Sequence, residues 1–405
     1  MRRTCLALLL VLTAAAAQSP DPAAQLARVQ AKVARALGDL PDYTCMVSAQ
    51  RAVWSQRRKR FAPVDIVRYE IAQVGGRELF AWPGASNFQD RSISQAVPSG
   101  LIADGDFGLH LREVFVSGSA AIEFSGSEEL DGEPSLRWEF AVAAAESAWV
   151  VRYDDRLFAV SSRGSFWADP ATNDVRRMEI RTLEMPEDVP IREMERTIDY
   201  HRVRIGEQNV LLPRTGTIIV QDASGMRHRN ITGYTNCRQY VGESVINFDF
   251  TEEQPSEEAA PQITEVELPP ALEVWTRLEN PIRSESAAVG DPVTAVVERN
   301  VAWNGETVVP KGARLVGRIR VLERHGTPAG YRIGLEFTDV EFSGSHGRFR
   351  GSLERWQPKP GQQTVPAEGQ RAGLPGVGVV FLQGASFVLP QGTLMLWVTQ
   401  AAGTP

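Results

Sequence analysis

The most informative segments of this chain are Gly290-Asp291-Pro292-Val293 and, further on, Val308-Val309-Pro310-Lys311-Gly312-Ala313-Arg314-Leu315-Val316-Gly317-Arg318-Ile319. Apolar residues before Pro310 and alternation after Gly312 predict a strand, a Pro-Lys-Gly turn and a second strand. In the second strand the apolar side chains share one face, and Arg314, Arg318 and Arg320 share the other. This period of two predicts an antiparallel sheet with one buried face and one face in water.

The same alternation continues toward the C-terminus. Its apolar members are Tyr331, Ile333, Leu335 and Phe337, and later Leu394, Leu396 and Val398. We therefore predict a second domain over residues 267–400, folded as a small β-barrel or sandwich. Residues 357–376 are rich in Pro, Gly and Gln and are predicted to form a loop.

Residues 251–266 combine five glutamates with Pro255 and Pro261. Such a composition cannot bury a core, so this segment is predicted to be an extended linker. It separates the second domain from a first domain predicted over residues 18–250. Most of that first domain also has a period of two, which predicts further antiparallel strands.

One turn within the first domain is marked by its chemistry. The segment Trp167-Ala168-Asp169-Pro170-Ala171-Thr172-Asn173-Asp174 lies between two alternating runs and contains the Asp, Pro and Asn typical of turns. It predicts a β-hairpin. The chain as a whole is therefore expected to be mainly β with minor α.

Two helices are predicted beside these strands. Residues 22–37 have an apolar stripe of Leu26, Val29, Val33 and Leu37, with Asp21 as the cap, Pro22 in the first turn and Gly38 as the stop. Residues 100–117 break the strand pattern, and Leu101, Phe107, Leu111 and Phe115 are placed to line one side of a short helix. A helix with one apolar stripe must pack on something larger.

Residues 1–17 have the layout of a secretory signal peptide. Arg2 and Arg3 precede the apolar run Leu6 to Leu12, and Ala15-Ala16-Ala17 offers a cleavage site. The run is shorter than the roughly 20 residues that span a bilayer. The alternative is an uncleaved anchor or a buried helix. We expect a periplasmic or secreted protein without a transmembrane segment after cleavage.

Removal of the signal leaves two cysteines, Cys45 and Cys237, in a compartment that permits disulfides. They are predicted to form one bridge; the alternative is two buried thiols. The formal charge is −7, and loss of Arg2 and Arg3 makes it −9. This acidic balance argues against nucleic acid as a partner.

No catalytic set is evident, and we expect neither an enzyme nor a bound cofactor. None of the five histidines stands at i, i+2 or i+4 from another, so no local metal pair exists. Asp199 and His201 share one face of a predicted strand, as an acid–base pair or a solvated surface pair would. The sequence also lacks a nucleophile elbow and a phosphate-binding loop.

Two groups of residues are candidates for binding. The basic run Arg57-Arg58-Lys59-Arg60 fits contact with anionic lipid or a partner, and a solvated hairpin end has the same appearance. The aromatic residues of the first domain belong either to its core or to the lining of an apolar pocket; they are Trp138, Phe140, Trp149, Phe158, Phe166 and Trp167.

The first domain resembles the periplasmic lipoprotein-carrier and lipoprotein-sorting family. The resemblance rests on the hairpin from Phe166-Trp167-Ala168-Asp169-Pro170-Ala171-Thr172 through Arg176-Arg177-Met178-Glu179, preceded by an N-terminal helix. It implies a curled antiparallel sheet, an incomplete barrel over helices, that holds acyl chains against its apolar side. The chain departs from the family in the long insert from Trp82 to Gly118.

The second domain resembles the C-terminal barrel of conjugation-transfer and type IV secretion core-scaffold proteins. This resemblance rests on three segments: Gly290-Asp291-Pro292-Val293, Val309 to Gly317, and Ser386-Phe387-Val388-Leu389-Pro390. The membrane helix of those scaffolds is absent here, so ring assembly is not implied.

Together these features favour a non-catalytic cell-envelope protein. Its first domain is expected to bind a hydrophobic or lipidated ligand. Its second domain is expected to dock an envelope partner through Arg314, Arg318 and Arg320. A structural component of an envelope assembly and a hydrolase are the two alternatives.

Overall fold

The computed structural model describes residues 21–85, 87–89, 93, 96–97, 102, 108–153, 156–240, 264–326, 329–358, 360, 362 and 374–401. The predicted signal peptide, Leu101 and Phe107 of the predicted insert helix, and most of the predicted linker and C-terminal loop lie outside these residues. In the described part, no helix combines the length and apolar character needed to cross a membrane.

The elements of the first part are α1 (Pro22–Gly38), β1 (Tyr43–Ser55), β2 (Arg60–Val74), β3 (Arg77–Ala81), α2 (Leu109–Phe115), β4 (Ala120–Leu130), β5 (Glu133–Val142), β6 (Val150–Tyr153), β7 (Arg156–Ala159), β8 (Ser162–Ala168), β9 (Val175–Thr182), β10 (Ile191–Ile205), β11 (Gln208–Asp222) and β12 (Arg227–Gln239). Ten of these strands form one curled sheet in the order β3-β2-β1-β12-β11-β10-β9-β8-β5-β4. Neighbouring strands are antiparallel throughout. The predicted mainly-β fold with a curled sheet is confirmed.

The remaining strands are β13 (Thr264–Glu267), β14 (Glu273–Leu278), β15 (Ile282–Arg283), β16 (Pro292–Val297), β17 (Val301–Trp303), β18 (Glu306–Val309), β19 (Arg314–Gly326), β20 (Ala329–Phe342), β21 (Ser345–Arg348), β22 (Gly351–Gln357), β23 (Val377–Gln383), β24 (Val388–Leu389) and β25 (Leu394–Thr399). Nine of them form a second sheet, in the order β13-β21-β20-β19-β16-β14-β25-β22, with β23 also paired to β20. The end strand β22 contacts β23, so this sheet curls round toward β20 as in a barrel. Trp397 and Phe337 are buried in its core with ring centroids 5.1 Å apart.

Helix α1 forms where the sequence predicts it and ends one residue later, at Gly38. The Asp21 carboxylate accepts a hydrogen bond from the Ala23 N–H, and Pro22 occupies the first turn. Val29 and Val33 of the predicted stripe are fully buried against the first sheet. The helix is thus fixed by its cap and by one apolar face.

The predicted hairpin is formed by β8 and β9. Asp169 accepts hydrogen bonds from the N–H groups of Ala171 and Thr172, which closes the turn between the two strands. The linker prediction is wrong at its end, because residues 264–266 belong to β13 and pair in parallel with β21. The backbone of these residues pairs with the edge of β21, and this pairing outweighs the polar composition that predicts an unpaired segment.

The two sheets meet at β2. Strand β3 pairs with the second half of β2, and residues 289–290 lie beside the free part, where Val67 and Val289 form a bridge. The Arg68 guanidinium donates a hydrogen bond to Asp291, and apolar residues of both sheets share one core cluster. The segment Gly290-Asp291-Pro292 therefore lies at the contact between the two sheets.

Candidate functional site

An aromatic layer fills the space between the first sheet and α2. Phe166 of β8 stacks on Trp138 of β5, with ring centroids 5.1 Å apart and planes at 11°. Phe115 of α2 meets Phe166 edge-on at 4.7 Å, and Phe140 lies 6.4 Å from Phe166. We call this face of the sheet, which α1 and α2 cover, the inner face.

The layer continues to the edge strand β4. Phe124 pairs with Trp138 across the strands, and their ring centroids lie 5.5 Å apart. Phe124 is 41% exposed, whereas Trp138 is 1% exposed. The aromatic layer is therefore buried at β5 and β8 and open to solvent at the edge strand β4.

A buried polar cluster joins α2 to the sheet. His110 and Glu113 of α2 and Arg196 of β10 are each at most 5% exposed. The His110 Nε2 and an Arg196 Nη1 lie 3.3 Å apart, and His110 Nδ1 lies 3.5 Å from Glu113 Oε2. Such groups remain buried only when they are paired.

Glu113 also fixes the segment that leads into β6. Its Oε1 accepts hydrogen bonds from the Ala148 N–H at 2.7 Å and the Ser147 hydroxyl at 3.0 Å. Burial by itself raises the pKa of Glu113, but His110 and these two donors outweigh it, so the pKa lies below its ordinary value. Glu113 is therefore a buried carboxylate in its charged form.

Helix α1 is held over the inner face by polar contacts with the β8–β9 turn. The Gln25 side-chain amide donates to the Pro170 carbonyl at 3.0 Å and to Asn173 Oδ1 at 2.7 Å. Lys32 and Arg202 both form ion pairs with Asp174, at 2.9 and 2.6 Å. The predicted turn is thus also the docking point of the helix.

The predicted ligand-binding aromatics are divided between the two faces of the sheet. Trp138, Phe140 and Phe166 lie in the aromatic layer. The ring centroid of Trp149 lies 5.1 Å from that of His110, and Phe158 packs at the margin of the same core. Trp167 lies on the outer face, where its indole N–H donates to Glu128 and Arg137 covers its ring. Adjacent residues of a strand point to opposite faces, so Phe166 and Trp167 cannot line one pocket.

The predicted docking residues of the second sheet contact groups of the same chain. Arg318 and Arg320 lie over the Trp82 ring, 5.8 and 6.0 Å from its centroid. Burial lowers the pKa of Arg318. Arg314 pairs with Glu279 at 2.8 Å, so an external docking role for these arginines stays a prediction.

The Asp199 carboxylate is engaged by residues other than His201. Asp199 accepts hydrogen bonds from Arg177 at 2.6 Å and from the Thr215 hydroxyl at 2.9 Å. Burial and the nearby Arg214 lower the pKa of His201. Among the described residues, no group of three or more His, Cys, Asp or Glu side chains is arranged to hold a metal ion.

A charged cleft of about 640 Å³ lies on the outer face of β5, β8, β9 and β10. Glu139 and Glu179 lie on either side of Ser165, and Arg163 and Arg181 stand in the next row of paired residues. Opposite charges on neighbouring rows stabilise the exposed side of a sheet. Nothing in the cleft distinguishes it from such a surface.

Phe124, Arg196 and the His110–Glu113 pair were not predicted from the sequence. A histidine and a glutamate three residues apart lie on one face of a helix, which was a usable signal. Arg196 stands in phase with buried Met194 and Ile198 of β10, so the alternation points it inward. Which groups meet across the interior depends on packing between distant elements.

No family model and no curated protein matches the chain. Two solved structures are similar to it, each over 55% of this chain and 95% of the other, with a TM-score of 0.29. One is a DUF1329 family protein from Desulfovibrio piger, at 13% identity, and the other is a putative outer membrane lipoprotein-sorting protein domain from Vibrio parahaemolyticus, at 9% identity. At this TM-score no conclusion about this chain follows from either similarity.

Proposed function

We propose that the chain is a non-catalytic protein of the periplasm that binds a hydrophobic or lipidated ligand against the inner face of its first sheet. The observation that carries this proposal is the aromatic layer of Phe115, Trp138 and Phe166, which opens to solvent at Phe124. An acyl chain entering at β4 meets a continuous apolar surface there. The predicted signal peptide and the disulfide between Cys45 and Cys237 are in keeping with an oxidising compartment.

Ligand entry requires α2 to move, and the energies permit it. Burying a chain of about 16 carbons gains roughly 12 kcal/mol, at about 0.8 kcal/mol per CH₂. Helix α2 contributes three large buried apolar side chains, Leu111, Val114 and Phe115. These stabilise its docked position by about 5–9 kcal/mol in total.

The test uses the chain recovered from a periplasmic fraction. Native mass spectrometry with lipid extraction is expected to find a monomer that carries lipid-sized mass. A photoreactive phenylalanine at Phe124 is then expected to crosslink added palmitate. The matched control places the same group at Trp303 of β17, which is 43% exposed, and is expected to give no adduct. A lipid-free chain with equal labelling at both sites would contradict the proposal.

A structural role in an envelope assembly is the second candidate. It is favoured by the packing of α1 and α2 over the inner face and by the core cluster that both sheets share. A chain with this role self-associates and remains free of lipid. The mass spectrum that tests the first candidate therefore decides between the two.

A further inference from the structure

One end of the first sheet collects positive charge. Arg57, Arg58 and Lys59 lie on the turn between β1 and β2, and Arg60 begins β2. Arg227 begins β12, which lies beside β1 because Val53 pairs with His228. We call these five cations, Arg57, Arg58, Lys59, Arg60 and Arg227, the basic end.

Aromatic rings support this end. Trp54 and Phe61 face each other across the hairpin with ring centroids 5.2 Å apart. The Arg227 guanidinium lies 5.7 Å from both centroids, and that of Arg229 lies 4.5 Å from Phe61. Cation–π contacts of this kind hold the arginine heads in place.

Nearby carboxylates do not neutralise the basic end. Asp65 is engaged by Arg51 at 2.7 Å, and Asp222 by His228 at 3.4 Å and by its own turn. Within the residues that the structure describes, no ion pair involves a member of the basic end. The acidic loop between β9 and β10, with Glu184, Glu187 and Asp188, lies three to four strands from the four cations of the β1–β2 hairpin, about 14–19 Å, which exceeds the screening length of about 8–10 Å. Arg227 lies two strands from this loop, at about the screening length.

An exposed apolar side chain accompanies these cations. Met226 is 48% exposed on the turn between β11 and β12, directly before Arg227. Cations beside an exposed apolar tip match the headgroup region of a membrane, where phosphates meet the first methylenes. Nucleic acid offers no such apolar layer.

We propose that the basic end is a peripheral contact site for a bilayer of anionic phospholipid. The cations bind lipid phosphates, and Met226 inserts below them. This inference does not depend on a ligand at the inner face. A chain that carries no lipid would still bind membranes through this surface.

The test measures partitioning of the purified chain onto vesicles of phosphatidylethanolamine and phosphatidylglycerol, against vesicles of phosphatidylcholine. The double variant Arg57→Glu/Arg58→Glu is expected to bind the anionic vesicles at least about 30-fold more weakly, since two cations are lost. The matched control is Arg204→Glu/Arg238→Glu, with the same charge change on exposed residues at the opposite end of the sheet. It is expected to bind about as well as the unmodified chain.

A second pair of variants separates a bilayer from a simple anion. Met226→Ser, which removes the apolar side chain without adding charge, is expected to weaken vesicle binding severalfold, while Trp303→Ser, at an exposed apolar residue of the second sheet, leaves it unchanged. Equal partitioning onto both vesicle types would overturn the proposal. So would equal losses for the basic-end variant and its control, or full binding by Met226→Ser.

Discussion

At the scale of the residue, Gly290 shows how one position joins the two sheets. Its φ of +99° lies in a region that residues with a side chain rarely adopt. A Cβ there would meet the Arg68 carbonyl oxygen and lie 2.6 Å from the Trp82 ring. The next residue, Asp291, pairs with Arg68. Backbone freedom and close approach are therefore both required at this site.

Replacement of Gly290 by alanine is expected to lower the free energy of unfolding by about 2–5 kcal/mol, the sum of backbone strain and overpacking. Gly312→Ala is the matched control, because Gly312 has a φ of +88° but open space around it. It is expected to lose only about 1–2 kcal/mol. Urea unfolding measures both values, and equal losses would show that the close approach is unimportant.

At the scale of the element, α1 depends on the β8–β9 turn. Asp174 lies between Lys32 of the helix and Arg202 of β10. Burial raises the pKa of Asp174, but the hydrogen bonds and charges of Arg202 and Lys32 prevail and hold the pKa below its ordinary value. The turn thus binds the helix through the negative charge of Asp174 as well as through the hydrogen bonds that it accepts from Gln25.

The Asp174→Asn variant tests this attachment through pH. Because the folded pKa lies below the unfolded one, the carboxylate stabilises the fold above about pH 4. This contribution is lost as the pH falls through the folded pKa. The difference in unfolding free energy between the unmodified chain and the variant is expected to be about 1 kcal/mol at neutral pH, since the pair is partly exposed.

That difference is expected to shrink below about pH 4, as followed by urea unfolding at several pH values. Glu207→Gln is the control, because the Glu207 side chain is 95% exposed in its pair with Arg204. It is expected to leave the free energy of unfolding nearly unchanged. A difference for Asp174→Asn that grows as the pH falls would reverse the sign and refute the attachment.

At the scale of the whole molecule, a disulfide and a shared core hold distant parts of the chain together. Cys45 of β1 and Cys237 of β12 are bonded although 192 residues separate them, so the bridge links the first and last strands of this part of the chain, which are neighbours in the sheet. The second sheet then packs on β2 through Val289 and Arg68. The predicted bridge is confirmed.

The Cys45→Ala/Cys237→Ala variant is expected to lose about 3–5 kcal/mol of unfolding free energy, because the bridge restricts a long loop in the unfolded chain. Urea unfolding with and without reductant measures the loss. Reductant is expected to destabilise the unmodified chain and to leave the variant as it is. Equal stability of the two oxidised proteins would contradict this account.

The local elements of this protein follow from its sequence alone. Alternation placed β8, β9 and β19, turn chemistry placed the Asp169 turn and the Pro-Lys-Gly turn, and the Asp21 cap with one apolar stripe placed α1. Each of these depends on residues close together in the chain, so short-range sterics and hydrogen bonds suffice to specify them.

The surfaces that meet in the folded protein are known from its three-dimensional packing. It put Phe124 at the open margin of the aromatic layer, and it buried His110 and Glu113 against Arg196. It also turned Arg318 toward Trp82 within the same chain. Alternation tells which side of a strand is apolar, but the partner of that side is set by packing between elements far apart in sequence.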